Sequence, residues 1–220
     1  DTDLARPKFA IMNPEITYTL PDYQTQCGCA DIMMHTMERY FVLEDTMEIT
    51  DRIAQDVMKN VMKYAKILKK DPENYEARAE IMWCGSLSHN GLTGCGTCGG
   101  DWATHLIEHE LGGMFDVAHG AGLAAVWGSW ARYVMDEKPE RFAQFAVDVM
   151  GVEESDDVKS TALKGIEAVE EFYRMIEMPT NMKELGINPT DEQIKDMAMK
   201  ATNHDTQQLG AFKKLSAKDL

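Results

Sequence analysis

The chain of 220 residues has no uncharged apolar run close to the roughly 18 residues that a membrane-spanning helix requires. Basic residues are also few, since 22 lysines and arginines stand against 37 acidic residues and give a formal net charge of −15. That charge repels the phosphate backbone of nucleic acids and the headgroups of anionic lipids. We therefore expect neither a nucleic acid nor a membrane as a partner.

Cysteine is scarce and its number is odd. The five cysteines lie at positions 27, 29, 84, 95 and 98. A secreted disulfide framework is typical of a shorter chain with an even number of cysteines, so we expect reduced thiols and a cytoplasmic protein. Hydrophobic residues make up 44% of the chain, which is enough for a buried core in a globular protein.

Strand-like sequence is confined to the beginning of the chain. Residues 8–12 and 16–20 are short β-prone runs, separated by Asn13-Pro14 and closed by Pro21. Two strands cannot form a stable sheet alone, so we interpret residues 1–21 as the remnant of a preceding domain. This interpretation predicts that the sequence is a fragment of a longer protein.

From Pro21 onward the apolar residues recur at helical spacing. A glycine-rich loop is expected at residues 91–100, and Gly112-Gly113 is expected to end the helix that follows it. The predicted fold is an all-α domain over residues 22–220 with a two-strand N-terminal remnant. Its helices are predicted over residues 30–43, 50–70 with Thr50 as N-cap, 74–89, 101–111, 120–135, 139–151, 157–178 and 190–201.

Two groups of residues have the composition of a metal site. Asp31 and His35 are four residues apart on a predicted helix, so their side chains project from the same face. His105, His109 and His119 are three of the six histidines within fifteen residues. Neutral imidazole is a common metal ligand, and one aspartate with three histidines suits a divalent cation with a position left for substrate. For Asp31 and His35 alone, a helical ion pair or a capped core histidine is the favoured interpretation.

Two short motifs suggest other functions. His105 to His109 fits H-x-x-E-H, in which both histidines of a zinc peptidase bind the metal and Glu108 is the general base. Residues 94–99 fit G-x-G-x-x-G, but a helix rather than a strand precedes them, so we interpret them as an interhelical loop. Cys95 and Cys98 form C-x-x-C without the second pair that a zinc site needs. The peptidase remains an alternative at this stage.

Three segments together resemble the iron-containing alcohol dehydrogenases, in particular their NADP-dependent butanol dehydrogenase branch. They are residues 28–40, GCADIMMHTMERY; residues 89–91, HNG; and residues 100–111, GDWATHLIEHEL. The resemblance extends from about Pro7 to Leu220. It implies a helical domain like that of dehydroquinate synthase and an enzyme that interconverts primary alcohols and aldehydes by hydride transfer.

The resemblance also implies roles for individual residues. His109 corresponds to an active-site histidine beside the metal, and Leu20 to a segment that approaches the cofactor. His89 and His204 are interpreted as surface or packing histidines. The implied metal is Fe²⁺, with Zn²⁺ and Mn²⁺ as alternatives, and its implied ligands are Asp31, His35, His105 and His119.

The rest of the implied enzyme lies outside this sequence. No pyrophosphate-binding turn matches, so NADP(H) or NAD(H) is expected to bind mainly to an absent N-terminal nucleotide-binding domain, and the C-terminus is expected to precede a final helix. Alone, the chain is expected to be an inactive, non-catalytic helical metal-binding module. A homo-oligomer is an open possibility, since a stub of sheet would be prone to associate.

Overall fold

The structure of the protein is a computed structural model, and it describes residue 4, residues 7–45 and residues 47–220. Eight α-helices form within this part of the chain. They are α1 (Asp22–Tyr40), α2 (Glu48–Leu68), α3 (Tyr75–His89), α4 (Ala103–Phe115), α5 (His119–Val134), α6 (Pro139–Asp148), α7 (Val158–Met175) and α8 (Asp191–Ala201). The predicted helical body is therefore present, with each predicted helix represented.

The predicted N-terminal strands are wrong. Residues 8–12 have no regular structure, and residues Pro14–Thr17 form a 3-10 helix followed by a turn. Asn13 caps this helix by accepting a hydrogen bond from Glu15 N, and Pro14 at its first position has the backbone angle that a helix needs. Strand propensity is expressed through pairing with a neighbouring strand, and the described part of the chain contains no strand that could pair with these runs. Residues 1–3, 5 and 6 of the predicted remnant lie outside the described residues.

Three of the eight α-helices in the described part of the chain begin at a residue whose own side chain caps the helix. The side chains of Asn74, Asp157 and Thr190 accept backbone hydrogen bonds at the starts of α3, α7 and α8, as expected from their residue types. Thr50 is not the cap of α2, which begins at Glu48. Gly112-Gly113 does not end α4, which continues to Phe115 and stops where Asp116 adopts a left-handed φ of 55°.

The centre of the core is α1, which has buried residues on every side. It contacts α2, α3 and α5, while α6 packs on α7 and α4 packs on both α5 and α8. Several aromatic rings pack against one another within the core, and Phe41 stacks on Phe142 with ring centroids 4.3 Å apart. Since α1 carries Asp31 and His35, this architecture makes both of them half-buried.

Gly120 lets α5 approach α1 more closely than other residues would. A Cβ atom at this position would clash with the backbone carbonyl of Cys27. Cys27 lies one helical turn before Asp31, and Gly120 directly follows His119. The close approach of the two backbones therefore brings His119 next to Asp31.

The predicted glycine-rich loop is confirmed as a connection between two helices. Residues 91–100 join α3 to α4 and include a short 3-10 turn, Leu92–Gly94, so they do not form a nucleotide-binding strand–turn–helix. The cysteines of this loop, Cys95 and Cys98, are exposed, and all five cysteines are free. No helix of the described residues is both long and apolar enough to span a bilayer.

Candidate metal centre

One face of α1 carries an aspartate, a histidine and a glutamate at successive turns. Asp31, His35 and Glu38 are separated by four and three residues, which places their side chains in one row. The Nε2 atom of His35 lies 3.6 Å from Oδ1 of Asp31, with 19% and 24% of the two side chains exposed. The Glu38 side chain is 1% exposed. This face of α1 is thus polar and turned towards the interior.

The N-terminus of α5 adds a second histidine to this face. His119 is the first residue of α5, and Gly120 holds it against α1 as described above. The Nε2 atom of His119 lies 3.5 Å from Oδ1 of Asp31, and 42% of the side chain is exposed. His119 therefore occupies the solvent side of the cluster.

The N-terminus of α4 adds a third histidine. The carboxylate of Glu38 accepts hydrogen bonds from Trp102 N at 2.6 Å and from His105 N at 3.1 Å. Because the first N–H groups of a helix have no partner within it, Glu38 caps α4 from a neighbouring helix. This contact fixes His105, whose Nε2 lies 3.7 Å from Oδ1 of Asp31 and whose side chain is 6% exposed.

The spacing of these atoms suits a divalent cation held by Asp31, His105 and His119, whose candidate ligand atoms lie within 4.8 Å of one another. His35 also approaches Asp31, but the structure groups it with Asp31 and His89 rather than with His105 and His119. Three imidazole nitrogens lie 3.5 to 3.7 Å from one carboxylate oxygen, which is longer than a normal hydrogen bond. Ligands about 2.1 Å from a tetrahedral ion lie roughly 3.4 Å from one another. Oδ1 of Asp31 and Nε2 of His105 are buried, and neither has a hydrogen-bond partner in the described part of the chain. Buried polar atoms normally have hydrogen-bond partners, so two buried atoms with free lone pairs and no such partner fit a metal site.

The acidic and imidazole groups of the cluster shift one another's pKa values. Burial alone would raise the pKa of Asp31, but the surrounding imidazoles, led by His105, hold that pKa well below its usual range. Burial lowers the pKa of His35 to about 3, so this ring is neutral at pH 7. Asp31 and Glu108 face the two ring nitrogens of His119 and raise its pKa to about 10. The metal-free cluster therefore holds an ionised Asp31, a neutral His35 and a protonated His119.

The other two predicted site residues lie at different distances from this cluster. His109, one turn beyond His105 on α4, is exposed, and its ring is 5.5 Å from the ring of His119 with 28° between the planes. Leu20 is 44% exposed and precedes α1. Asp22, the first residue of α1, lies on the order of 13 Å along the helix axis from Asp31, and Leu20 precedes Asp22 by two residues.

The sequence interpretation missed His89. This last residue of α3 has its Nε2 atom 3.3 Å from Oδ2 of Asp31, and its ring centroid is 3.8 Å from that of His35. Its Nδ1 atom lies 2.9 Å from the carbonyl oxygen of Gly85. The available signal was its position before Asn90-Gly91, inside one of the segments that carry the family resemblance. Helical periodicity alone could not have placed it beside α1.

Comparison with known proteins identifies the family. The sequence model of the Fe-containing alcohol dehydrogenase family, C-terminal, matches residues 25–220. The chain belongs to this family. The resemblance seen in the sequence is thereby confirmed, including the assignment of this chain to the family's C-terminal, helical domain.

Individual relatives agree with this assignment. NADH-dependent butanol dehydrogenase A of Clostridium acetobutylicum is 33% identical over 99% of this chain and 56% of that protein. NADPH-dependent aldehyde reductase YqhD of Escherichia coli is 34% identical over 93% of this chain and 52% of that protein. The solved structure of NADH-dependent butanol dehydrogenase A from Thermotoga maritima superposes with a TM-score of 0.91 at 33% identity, covering 99% of this chain and 55% of the other. The chain spans about half the length of these relatives.

The geometry disfavours the peptidase alternative. In the H-x-x-E-H interpretation His105 and His109 would bind one metal, yet among the described residues it is His119, and not His109, that forms a group of candidate ligands with His105 and Asp31. Glu108 is buried, with 2% of its side chain exposed, and it accepts a hydrogen bond from Nδ1 of His119. A carboxylate held in this way is not positioned to activate a water molecule between His105 and His109.

Proposed function

We propose that this chain is the metal-binding half of an NAD(P)H-dependent enzyme that interconverts primary alcohols, of about the size of butanol, with aldehydes by hydride transfer. Family membership and the named activities of the relatives support this class of reaction. The observation that carries the proposal is the convergence of three imidazole Nε2 atoms on Oδ1 of Asp31.

The proposed ligands of the cation are Asp31, His35, His105 and His119. Fe²⁺ is proposed because of the family, with Zn²⁺ and Mn²⁺ as alternatives, since a mixed set of oxygen and nitrogen ligands does not select one metal. When bound, a divalent cation supplies the positive charge that makes an alcohol more acidic and an aldehyde carbonyl more electrophilic. Asp31 contributes the negative charge that holds a cation, and the neutral ring of His35 contributes a lone pair.

His109 is the proposed proton carrier. It is exposed and lies beside His119, so it can reach both the cluster and bulk water. Imidazole takes up and releases protons at physiological pH, which suits the transfer of a proton between an alcohol hydroxyl and solvent. The ring of His109 would therefore hold the proton that leaves the substrate during oxidation.

The nicotinamide cofactor, NAD(H) or NADP(H), is proposed to bind mainly to an N-terminal nucleotide-binding domain, because the chain spans only 56% of a relative that is named NADH-dependent. Leu20 is proposed to approach this cofactor, and the boundary between residues 1–21 and 22–220 remains a prediction. The chain alone is expected to bind a cation but no NADPH. Five free cysteines suit a reducing compartment, so the cytoplasm is the proposed location.

Metal analysis of the anaerobically purified chain tests this proposal. We expect about one divalent cation per chain, lost in Asp31→Ala and in His119→Ala, because each removes a proposed ligand. Glu108→Gln is the matched control, since a peptidase would need Glu108 for hydrolysis whereas the proposed site keeps its cation. Retention of the cation by both alanine variants would refute the proposal. A fluorescence titration with NADPH should show no binding by the chain alone.

A further inference from the structure

Two histidines of the cluster have their second ring nitrogen on a buried carboxylate. Nδ1 of His105 lies 3.1 Å from Oε1 of Glu38, and Nδ1 of His119 is hydrogen-bonded to Oε2 of Glu108. The two glutamate side chains are only 1% and 2% exposed. In both histidines it is the Nε2 atom that faces Asp31.

We propose that Glu38 and Glu108 are positioning residues that keep a proton on Nδ1 of His105 and His119, so that both rings present the Nε2 lone pair to a cation. Neutral imidazole carries one proton, and the hydrogen bond at one nitrogen decides which nitrogen is free to bind a metal. A carboxylate accepts but cannot donate, so it selects the Nδ1–H form of the ring. This inference rests on the proposed metal-binding function.

Both carboxylate oxygens of Glu38 face N–H donors. Its Oε1 atom accepts from both the backbone N–H and Nδ1 of His105, and its Oε2 atom accepts from Trp102 N at 2.6 Å. In Glu38→Gln the amide NH₂ group would face an N–H donor in either orientation. If the NH₂ group takes the place of Oε1, both hydrogen bonds from His105 are lost. If it takes the place of Oε2, only the bond from Trp102 N is lost and the contact with the His105 ring is kept, so Glu38→Ala is the clearer test.

The surroundings of Glu108 are set by two glycines. A Cβ atom on Gly122 would lie 2.6 Å from Oε1 and 2.8 Å from Cγ of Glu108, and one on Gly112 would lie 3.3 Å from Oε1. The missing side chains thus make the space that the carboxylate occupies between α4 and α5. Gly122→Ala should displace Glu108 from His119 without altering either residue. Gly113→Ala is the matched control, because a Cβ atom there would meet nothing within 4 Å.

Metal affinity of the purified chain, measured for Zn²⁺ by competition with a chromogenic chelator, tests the inference. We expect Glu108→Ala, Gly122→Ala and Glu38→Ala to weaken binding by about 10- to 100-fold. Glu108→Gln should stay within a few-fold of the unaltered chain, because its amide oxygen can still accept from Nδ1. Gly113→Ala should bind as the unaltered chain does. If Glu108→Ala fails to fold, the Zn²⁺ affinity of Gly122→Ala compared with that of Gly113→Ala tests the inference instead.

Nitrogen NMR of the zinc-loaded chain gives a readout that a purely structural role would not move. We expect His105 and His119 to carry a proton on Nδ1 and the metal on Nε2. In Glu108→Ala, we expect His119 to show a mixture of forms in which Nδ1 is no longer the only protonated nitrogen. Unchanged affinity in Glu108→Ala, Gly122→Ala and Glu38→Ala, or metal on Nδ1 of His119 in the unaltered chain, would overturn the inference. If the unaltered chain bound no cation at all, the proposed function itself would fail, which is a separate result.

Discussion

Binding of a cation should displace a proton from His119. Asp31 and Glu108 face the two ring nitrogens and raise the pKa of His119 to about 10. At pH 7 the metal-free ring is therefore protonated, and Nε2 must lose its proton before it can bind a metal. The pKa of His105 is also raised, because Asp31 and Glu38 outweigh the effect of its burial. We expect at least one proton to be released for each cation bound at pH 7.5.

The size of the effect follows from the position of this pKa. For one proton in competition with the cation, affinity rises about tenfold per pH unit below the pKa, or about 100-fold from pH 7 to pH 9. The stability of the metal-free chain should change in the opposite direction. A raised histidine pKa stabilises the fold fully below the unfolded value of 6.5, and this contribution is lost as the pH rises through about 10.

Isothermal titration calorimetry with chelator-buffered Zn²⁺ measures this linkage. The experiment is repeated in buffers with different enthalpies of ionisation, and the dependence of the observed heat on that enthalpy gives the number of protons released. His204→Ala is the control, because this exposed histidine lies outside the cluster and its loss should leave the count unchanged. No proton release at pH 7.5, together with an affinity that is constant from pH 7 to pH 9, would refute the reasoning.

Two further predictions concern the scaffold. Arg141 is buried and forms a bidentate pair with Asp51 at 2.5 and 2.6 Å, so Arg141→Met should lower the free energy of unfolding by about 3 to 5 kcal/mol. Urea denaturation measures this loss, and a change below 1 kcal/mol would contradict a structural role for the pair. Gly120→Ala should cost about 1 to 3 kcal/mol and weaken cation binding, because the new Cβ meets the carbonyl of Cys27. Gly28→Ala is the control, because a Cβ atom there would have nothing within 4 Å, and it should change neither the stability nor the cation binding. Equal effects of Gly120→Ala and Gly28→Ala would be evidence against close packing of α1 on α5.

The helices could be predicted from the sequence because their signals are local. Apolar spacing and the capping residues Asn74, Asp157 and Thr190 act within a few residues of chain. The strands at residues 8–12 and 16–20 could not be judged in this way, since a strand depends on a partner elsewhere. The prediction that Gly112-Gly113 ends α4 was wrong for a related reason. Gly112 leaves space that Glu108 fills, and this contact depends on the three-dimensional structure.

The same distinction between local and long-range signals applies to the candidate site. Helical spacing predicted that Asp31 and His35 share a face, and the structure places them on one. Spacing could not decide between His105 and His109, since both lie on α4, and the difference arises where Glu38 docks the first turn of α4 against α1. The approach of His89 to Asp31 also depends on how α3 packs against α1, which no local pattern encodes.

Anomalous diffraction from crystals of the chain grown anaerobically with Fe²⁺ locates a bound ion among the side chains. We expect one strong peak within bonding distance of the Asp31 carboxylate and of the Nε2 atoms of His35, His105 and His119. A peak held by His105 and His109 that His119 does not approach would contradict this expectation. So would crystals in which these four side chains point away from one another and bind no ion.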